Sequence, residues 1–164
     1  MTTRKRTKAP TPVIDAVLAR DLPRLRNVLQ AGGNVDERDA DGRTALHHAC
    51  IQNDEQLVDL LLTFKAQCAV ADNNGMTPLH FAARNYDVSI AQKLLRSGVA
   101  VDVPDAHGNT PLSDAVFESK GRGEMIRLLL ESGADQDRKN NHGISPAALA
   151  STIANYDVRQ WMKH

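Results

Sequence analysis

The stretch Asn74–Ala83 reads NGMTPLHFAA, and it decides the fold because the same word returns along the chain. Asp41–Cys50 reads DGRTALHHAC, His107–Val116 reads HGNTPLSDAV, and His142–Ser151 reads HGISPAALAS. The glycines inside these words, Gly42, Gly75, Gly108 and Gly143, are separated by 33, 33 and 35 residues. A degenerate copy, TPVIDAV, begins at Thr11, which is 33 residues before Thr44. The other half of each unit recurs as well: RNVLQAGGNVDERD at 26–39, VDLLLTFKAQCAVAD at 58–72, AQKLLRSGVAVDVPD at 91–105 and IRLLLESGADQDRKN at 126–140. A fixed period of this length is the signature of a repeat array, in which each unit is one supersecondary element.

Each recurring residue has a physical role. Thr44, Thr77, Thr110 and Ser145 stand where a hydroxyl caps a helix N-terminus. Pro78, Pro111 and Pro146 follow at the first helical position, where a missing N–H costs nothing. Leu46, Leu79 and Leu112 start an apolar stripe, and the small residues Ala49, Ala82 and Ala115 let neighbouring helices come close. A second helix carries the pairs Leu61-Leu62, Leu94-Leu95 and Leu129-Leu130. Gly32, Gly98 and Gly133 follow it at the left-handed position that ends a helix. Stretches such as Asp39-Ala40-Asp41-Gly42 supply the turn chemistry of a tight hairpin. The unit is therefore helix, turn, helix, hairpin.

On these words the chain resembles the ankyrin-repeat family from about Thr11 to the C-terminus. The resemblance implies an all-α solenoid of about five units, including caps, with stacked antiparallel helix pairs and β-hairpin turns projecting at right angles. The expected units are 11–40, 41–73, 74–106, 107–141 and 142–164, one domain over 11–164, preceded by a flexible basic tail over 1–10. The first unit reads as a cap, with Arg20, Arg24 and Asn27 among its leucines; Tyr156 and Trp161 are expected to cover the last interface.

Three positions depart from the pattern. Lys65 replaces the helix-ending glycine, so its helix is expected to end differently. Asn53 and Tyr86 stand where a glycine between the helices is common in the family. The segment Glu118–Glu124 adds two residues and is expected to form a longer surface loop; it lacks the preceding strand and the Gly-Lys-Ser/Thr ending of a phosphate loop.

Composition narrows the function. Twenty basic and twenty acidic residues in a chain of 164 cancel, so nothing draws the whole protein to nucleic acid or to an anionic membrane. Aromatics at 4% leave the core to Leu, Val, Ile and Ala. Two cysteines and no apolar leader lead to the expectation of a reducing, cytoplasmic location. Arg4, Lys5, Arg6 and Lys8 in the tail are the only support for a nucleic-acid accessory role.

No catalytic constellation emerges, and no cofactor or metal is expected. His47 and His80 occupy the histidine of the repeat word, which the resemblance makes structural rather than a metal ligand. Cys50 and Cys68 read as small buried hydrophobes. Asp39, Asp72 and Asp105 fall at repeat spacing as turn residues, not as a convergent acid–base pair.

The resemblance implies a partner protein held on the concave surface, made by hairpin tips and the exposed side of the first helices. Carried over by position, the tips are Arg38, Ala40, Asp41 and Arg43; Ala71, Asn73, Asn74 and Met76; Pro104, Ala106, His107 and Asn109; and Asn141, His142 and Ile144. The first helices add Ile51, Gln52, Arg84, Asn85, Phe117 and Glu118, and the long loop adds Lys120 and Arg122. Arg43, Ile51, Met76, Arg84 and Phe117 are the expected anchors, because arginine and large apolar groups dominate interface energetics. The chain is expected to be monomeric when free. Residues 107–158 resemble small single-domain bacterial ankyrin-repeat proteins, which implies an immunity or inhibitor protein for a toxin or enzyme; the alternative is a general adaptor or scaffold in bacterial regulation or stress response.

Overall fold

The structure, a computed structural model, describes residues 11–153 and 157–162. The basic tail and Tyr156 therefore lie outside the described residues.

Five first helices, α1 (Pro12–Leu18), α3 (Ala45–Ile51), α5 (Pro78–Asn85), α7 (Pro111–Phe117) and α9 (Pro146–Thr152), stack in chain order. Four second helices, α2 (Leu22–Gln30), α4 (Glu55–Thr63), α6 (Val88–Arg96) and α8 (Glu124–Glu131), form the layer behind them. A 3-10 turn at Val158–Trp161 packs on α9. Each helix is too short to hold itself together in water, so the helices persist only because stacking buries their faces. Ala49, Ala82, Ala115 and Ala150 lie buried along the first-helix stack, where a larger side chain would push neighbours apart. Leu25, Leu57, Leu61, Ile90, Leu94, Ile126 and Leu129 fill the space between the layers. Among the described residues no helix is long and apolar enough to cross a membrane.

Two of the first helices start with the same cap. In α3 and α5 the Nδ1 atoms of His47 and His80 accept the backbone N–H of Thr44 and Thr77, both at 3.0 Å, and meet the threonine hydroxyls at 2.9 Å. This makes Nδ1 the acceptor, so Nε2 carries the proton and donates to the next repeat: His47 to the Met76 carbonyl at 3.1 Å, His80 to the Asn109 carbonyl at 3.3 Å. Both rings are fully buried. Burial lowers the His47 pKa from 6.5 to about 4, against the partial support of its Met76 bond, and moves His80 the same way. They are neutral rivets between repeats.

The hairpins form without any assigned strand among the described residues. Asp39, Asp72 and Asp105 close them, their backbone N–H groups donating to the carbonyls of Arg43, Met76 and Asn109. Their Oδ1 atoms each accept two further backbone N–H groups; the Asp105 Oδ1, for example, takes those of His107 and Asn109, both at 2.8 Å. Asn140 plays the same part in the fourth hairpin. Neighbouring hairpins are sewn together by Asn73 N–H to Asp41, Ala106 N–H to Asn74 and Asn141 N–H to His107. Gly75 sits in this seam at φ +77°, and a Cβ there would run into the backbone of Asp105 and Ala106.

The helix-ending expectation at Lys65 is corrected. Lys65 adopts φ +60°, its N–H reaching the Leu62 carbonyl, so its helix ends as the glycine-ended ones do. Arg20, Asn53 and Tyr86 take the left-handed conformation between the helices, again without glycine. For Tyr86 the reason is visible. Its hydroxyl donates to the Arg122 carbonyl, and its ring lies 3.9 Å below the Arg122 guanidinium. The long loop is thus held from one side by Tyr86 of the preceding unit. On the other side, Trp161 lies against Gly123, where its ring occupies the space that a Cβ would need.

Candidate partner-binding face

The outer edge of the first helices meets the hairpins on one face, where residues of α5, α7 and α9 and of two hairpins line a shared cavity. Position 18 and its equivalents 51, 84 and 117 fall in one column along that edge, 33 residues apart. Leu18, Ile51, Phe117 and Ile144 are the exposed large hydrophobics among the described residues, Phe117 the barest at 69%. The first three occupy this column, with Arg84 between Ile51 and Phe117, and Ile144 faces Phe117 across a shared cavity. An apolar stripe confined to one face of a protein marks a contact surface.

The expected site residues fall into three groups. Ile51, Arg84, Phe117, Asp41, Asn74, His107, His142 and Lys120 are exposed. A second group is exposed or half-buried but already tied down. Arg38 donates to the Ala71 carbonyl at 2.6 Å, Asn73 to that of Ala40, Asn141 to that of Ala106, and Asn85 to those of Cys50 and Ile51. Arg43 pairs with buried Asp72 at 3.2 Å and lies 5.3 Å from the centre of the Phe81 ring. The Asn109 side chain accepts from Asn140, the Gln52 carbonyl accepts from Arg20, and the Glu118 carbonyl accepts from Arg122. Arg122 also donates to the Ser119 carbonyl at 3.1 Å.

Met76 stands alone and corrects the expectation of an exposed anchor. It is 7% exposed, and its sulfur takes a contact from Arg84 Nη1 at 3.5 Å. A flexible thioether fills the gap between hairpin and helix, so the side chain that looked like an anchor packs inward.

The ring nitrogens of His47 are both engaged within the fold, and His48 bonds Asp39 at 2.7 Å. Among the described residues no cluster of His, Cys, Asp or Glu is arranged to hold a metal. Cys50 is buried and burial pushes its thiol far up; Cys68 is half-buried, its thiol raised for the same reason, so neither is an activated nucleophile.

Two residues on this face escaped the sequence reading. Leu18 belongs to the degenerate first copy, yet it lies 33 residues before Ile51 and the period alone could have placed it. Asp114 occupies the column of Asp15, His48, Phe81 and Leu149; the first unit's Asp15 is exposed, whereas Asp114 is half-buried. It lines a cavity of about 450 Å³ together with Arg84, Asn109, Phe117, Ile144 and Leu149. Its Oδ2 is sealed from solvent with no hydrogen-bond partner. Burial raises its carboxyl to about 7, the charge of Arg84 opposing that rise and those of Asp105 and Glu118 adding to it.

Known proteins agree with this architecture. Residues 13–105 and 66–140 match the family model for ankyrin repeats in three copies. Over 47 residues the chain is 45% identical to the ankyrin repeat and LEM domain-containing protein 1 homolog of Caenorhabditis elegans. That match covers 29% of this chain and 7% of the relative, so the chain spans a small part of that protein's length. With its repeat word, its histidine rivets and its sewn hairpins matched over most of its length, the chain belongs to the ankyrin-repeat family.

Proposed function

We propose that this chain binds another protein in its concave face and, by covering that protein's working surface, acts as an inhibitor or immunity protein for a toxin or enzyme. Ankyrin repeats are generally non-catalytic modules for protein–protein interaction. The observation that carries the reading is the stripe Leu18–Ile51–Phe117 with Ile144 beside it, which gathers the exposed large hydrophobics of the described residues on one face. Arg84 stands within the stripe, and around it Asp41, Asn74, His107 and His142 supply a polar rim. An apolar centre inside a polar rim is the anatomy of a protein interface.

The rigid backing favours occlusion over adaptation. Hairpins joined to one another and helices riveted through His47 and His80 leave little freedom to lose on binding. Residues 11–164 act in this reading as one monomeric domain behind the basic tail. The free thiols Cys50 and Cys68 favour the reducing cytoplasm, and the similarity of residues 107–158 to small bacterial repeat proteins favours a bacterial toxin or enzyme as partner.

The test is affinity capture from the native cell, followed by an assay of the captured protein with and without the chain. Loss of the partner's activity on mixing, restored by Phe117→Ala, supports inhibition. A partner that stays fully active in the complex makes the chain an adaptor instead. A partner bound equally well by the wild type and by a combined Ile51→Ala, Phe117→Ala variant removes the concave face from the reading.

A further inference from the structure

The most unusual group on the concave face is Asp114. Its column also holds His48, Phe81 and Leu149 and, in the first unit, the exposed Asp15, so Asp114 is the acid of this column that is drawn into the fold. One carboxyl oxygen is shut away from water and receives no hydrogen bond. A buried carboxylate without a donor is costly, and such groups are retained where something else supplies the missing partner. Within the fold the nearest candidate is Arg84, which lines the same cavity. Its Nη1 contacts the Met76 sulfur at 3.5 Å, and among the described residues no ion pair joins it to Asp114.

The surroundings are acidic on balance. Asp105 lines the cavity from its hairpin, and Glu118 follows at the end of α7, against the single positive charge of Arg84 from α5. His107 contributes from the hairpin tip, while α9 presents Leu149. The cavity, about 450 Å³, has room for one long side chain. Its rim is formed by the 69% exposed Phe117 ring and the 45% exposed Ile144. A long, flat cation that can lie on an aromatic face and end on a carboxylate fits these features together; arginine has that form and keeps its charge, whereas histidine is shorter and lysine is not planar.

We propose that this cavity is the specificity pocket of the docking face and receives an arginine side chain of the partner protein, with Asp114 as its counter-ion and Phe117 as the surface it lies on. The proposal rests on the concave-face reading and adds the chemistry of the residue that enters it. Asp114 then serves recognition at the expense of stability. The entering guanidinium meets the carboxyl group from the cavity side, and its charge favours the ionised form that burial disfavours. The four charged or titratable neighbours, Arg84, Asp105, His107 and Glu118, remain in place on complex formation.

The probe is N-acetyl-arginine amide, titrated into the isotope-labelled chain at pH 8 and followed by amide chemical shifts. Its neutral isostere, N-acetyl-citrulline amide, is the control. Saturable shifts are expected around Asp114, Phe117 and Ile144, with citrulline at least tenfold weaker. Asp114→Asn is expected to abolish the preference for arginine over citrulline while circular dichroism shows an intact fold; Phe117→Ala weakens arginine several-fold. Equal binding of the two probes, or an arginine preference that survives Asp114→Asn, overturns the proposal. The docking reading has its own readout. If partner binding falls in Phe117→Ala but arginine shows no preference, the pocket alone is wrong. If free arginine binds as described but partner binding ignores both variants, the partner does not use the pocket and the proposal falls together with the docking face.

Discussion

Asp114→Asn should stabilise the protein at pH 8 and not at pH 4. Lifting the carboxyl from 3.8 to about 7 makes its ionisation roughly 4 kcal/mol harder in the folded chain than in the unfolded one. The sign follows from which state releases its proton first. Below pH 3.8 the carboxyl is protonated in both states and costs nothing; between 3.8 and about 7 it ionises only on unfolding, so stability falls as pH rises. Part of the residue touches solvent, which trims the expected effect to about 2–4 kcal/mol. His47 works in the opposite direction. Its ring is neutral in the fold down to about pH 4, so stability is lost as pH falls from 6.5, by about 3 kcal/mol at the end. The two slopes overlap and largely cancel in the wild type. Asparagine removes one of them and exposes the other, leaving a variant that gains stability at pH 8 and is newly acid-labile. Urea unfolding followed by circular dichroism at pH 4, 6 and 8 measures this, and a thermal midpoint should move by about 2–4 °C per kcal/mol. Parallel stability–pH curves for wild type and variant would refute the buried, unpartnered carboxylate.

Further outcomes follow from other contacts. Gly123→Ala places a Cβ where the Trp161 ring lies, and is expected to cost about 1–3 kcal/mol and shift the fluorescence of the chain's single tryptophan to the red. Unchanged emission would show that the two do not pack. Lys65→Gly relieves a left-handed lysine at φ +60° and should stabilise by about 1 kcal/mol in urea unfolding; a loss of stability would contradict that geometry. In thiol labelling without denaturant, half-buried Cys68 should react ahead of buried Cys50, whose labelling should wait for unfolding.

The repeat was legible because its roles are backbone roles. Thr44 with His47, Thr77 with His80, and Asp39, Asp72 and Asp105 at three hairpin corners do the same work in successive units, so the period reports them directly. Position also sufficed for Ile51, Phe117 and Arg84, which stand exposed in the expected column. It failed at Met76, because a hairpin-tip register says where a Cα lies and not whether a long thioether folds inward beneath Arg84. At Lys65 the strain of a left-handed residue was read but not its outcome, because the surrounding turn holds the lysine in the conformation that glycine takes elsewhere. Tyr86 looked awkward for the same reason, and its purpose depends on Arg122, a residue 36 positions away that no periodicity connects to it. Asp114 was hidden by success: within a strong repeat word, an acid in a column whose first member is the exposed Asp15 reads as an ordinary surface group until the cavity beside it is seen.

The most direct measurement places a photo-crosslinking residue at position 117 on the concave face and, in a separate variant, at exposed position 92 on α6. Each is illuminated in the living cell. A discrete adduct at position 117, absent from position 92 and lost on adding Ile51→Ala, is the outcome that a concave docking face requires. Adducts at 92 alone, or equally at both positions, contradict it.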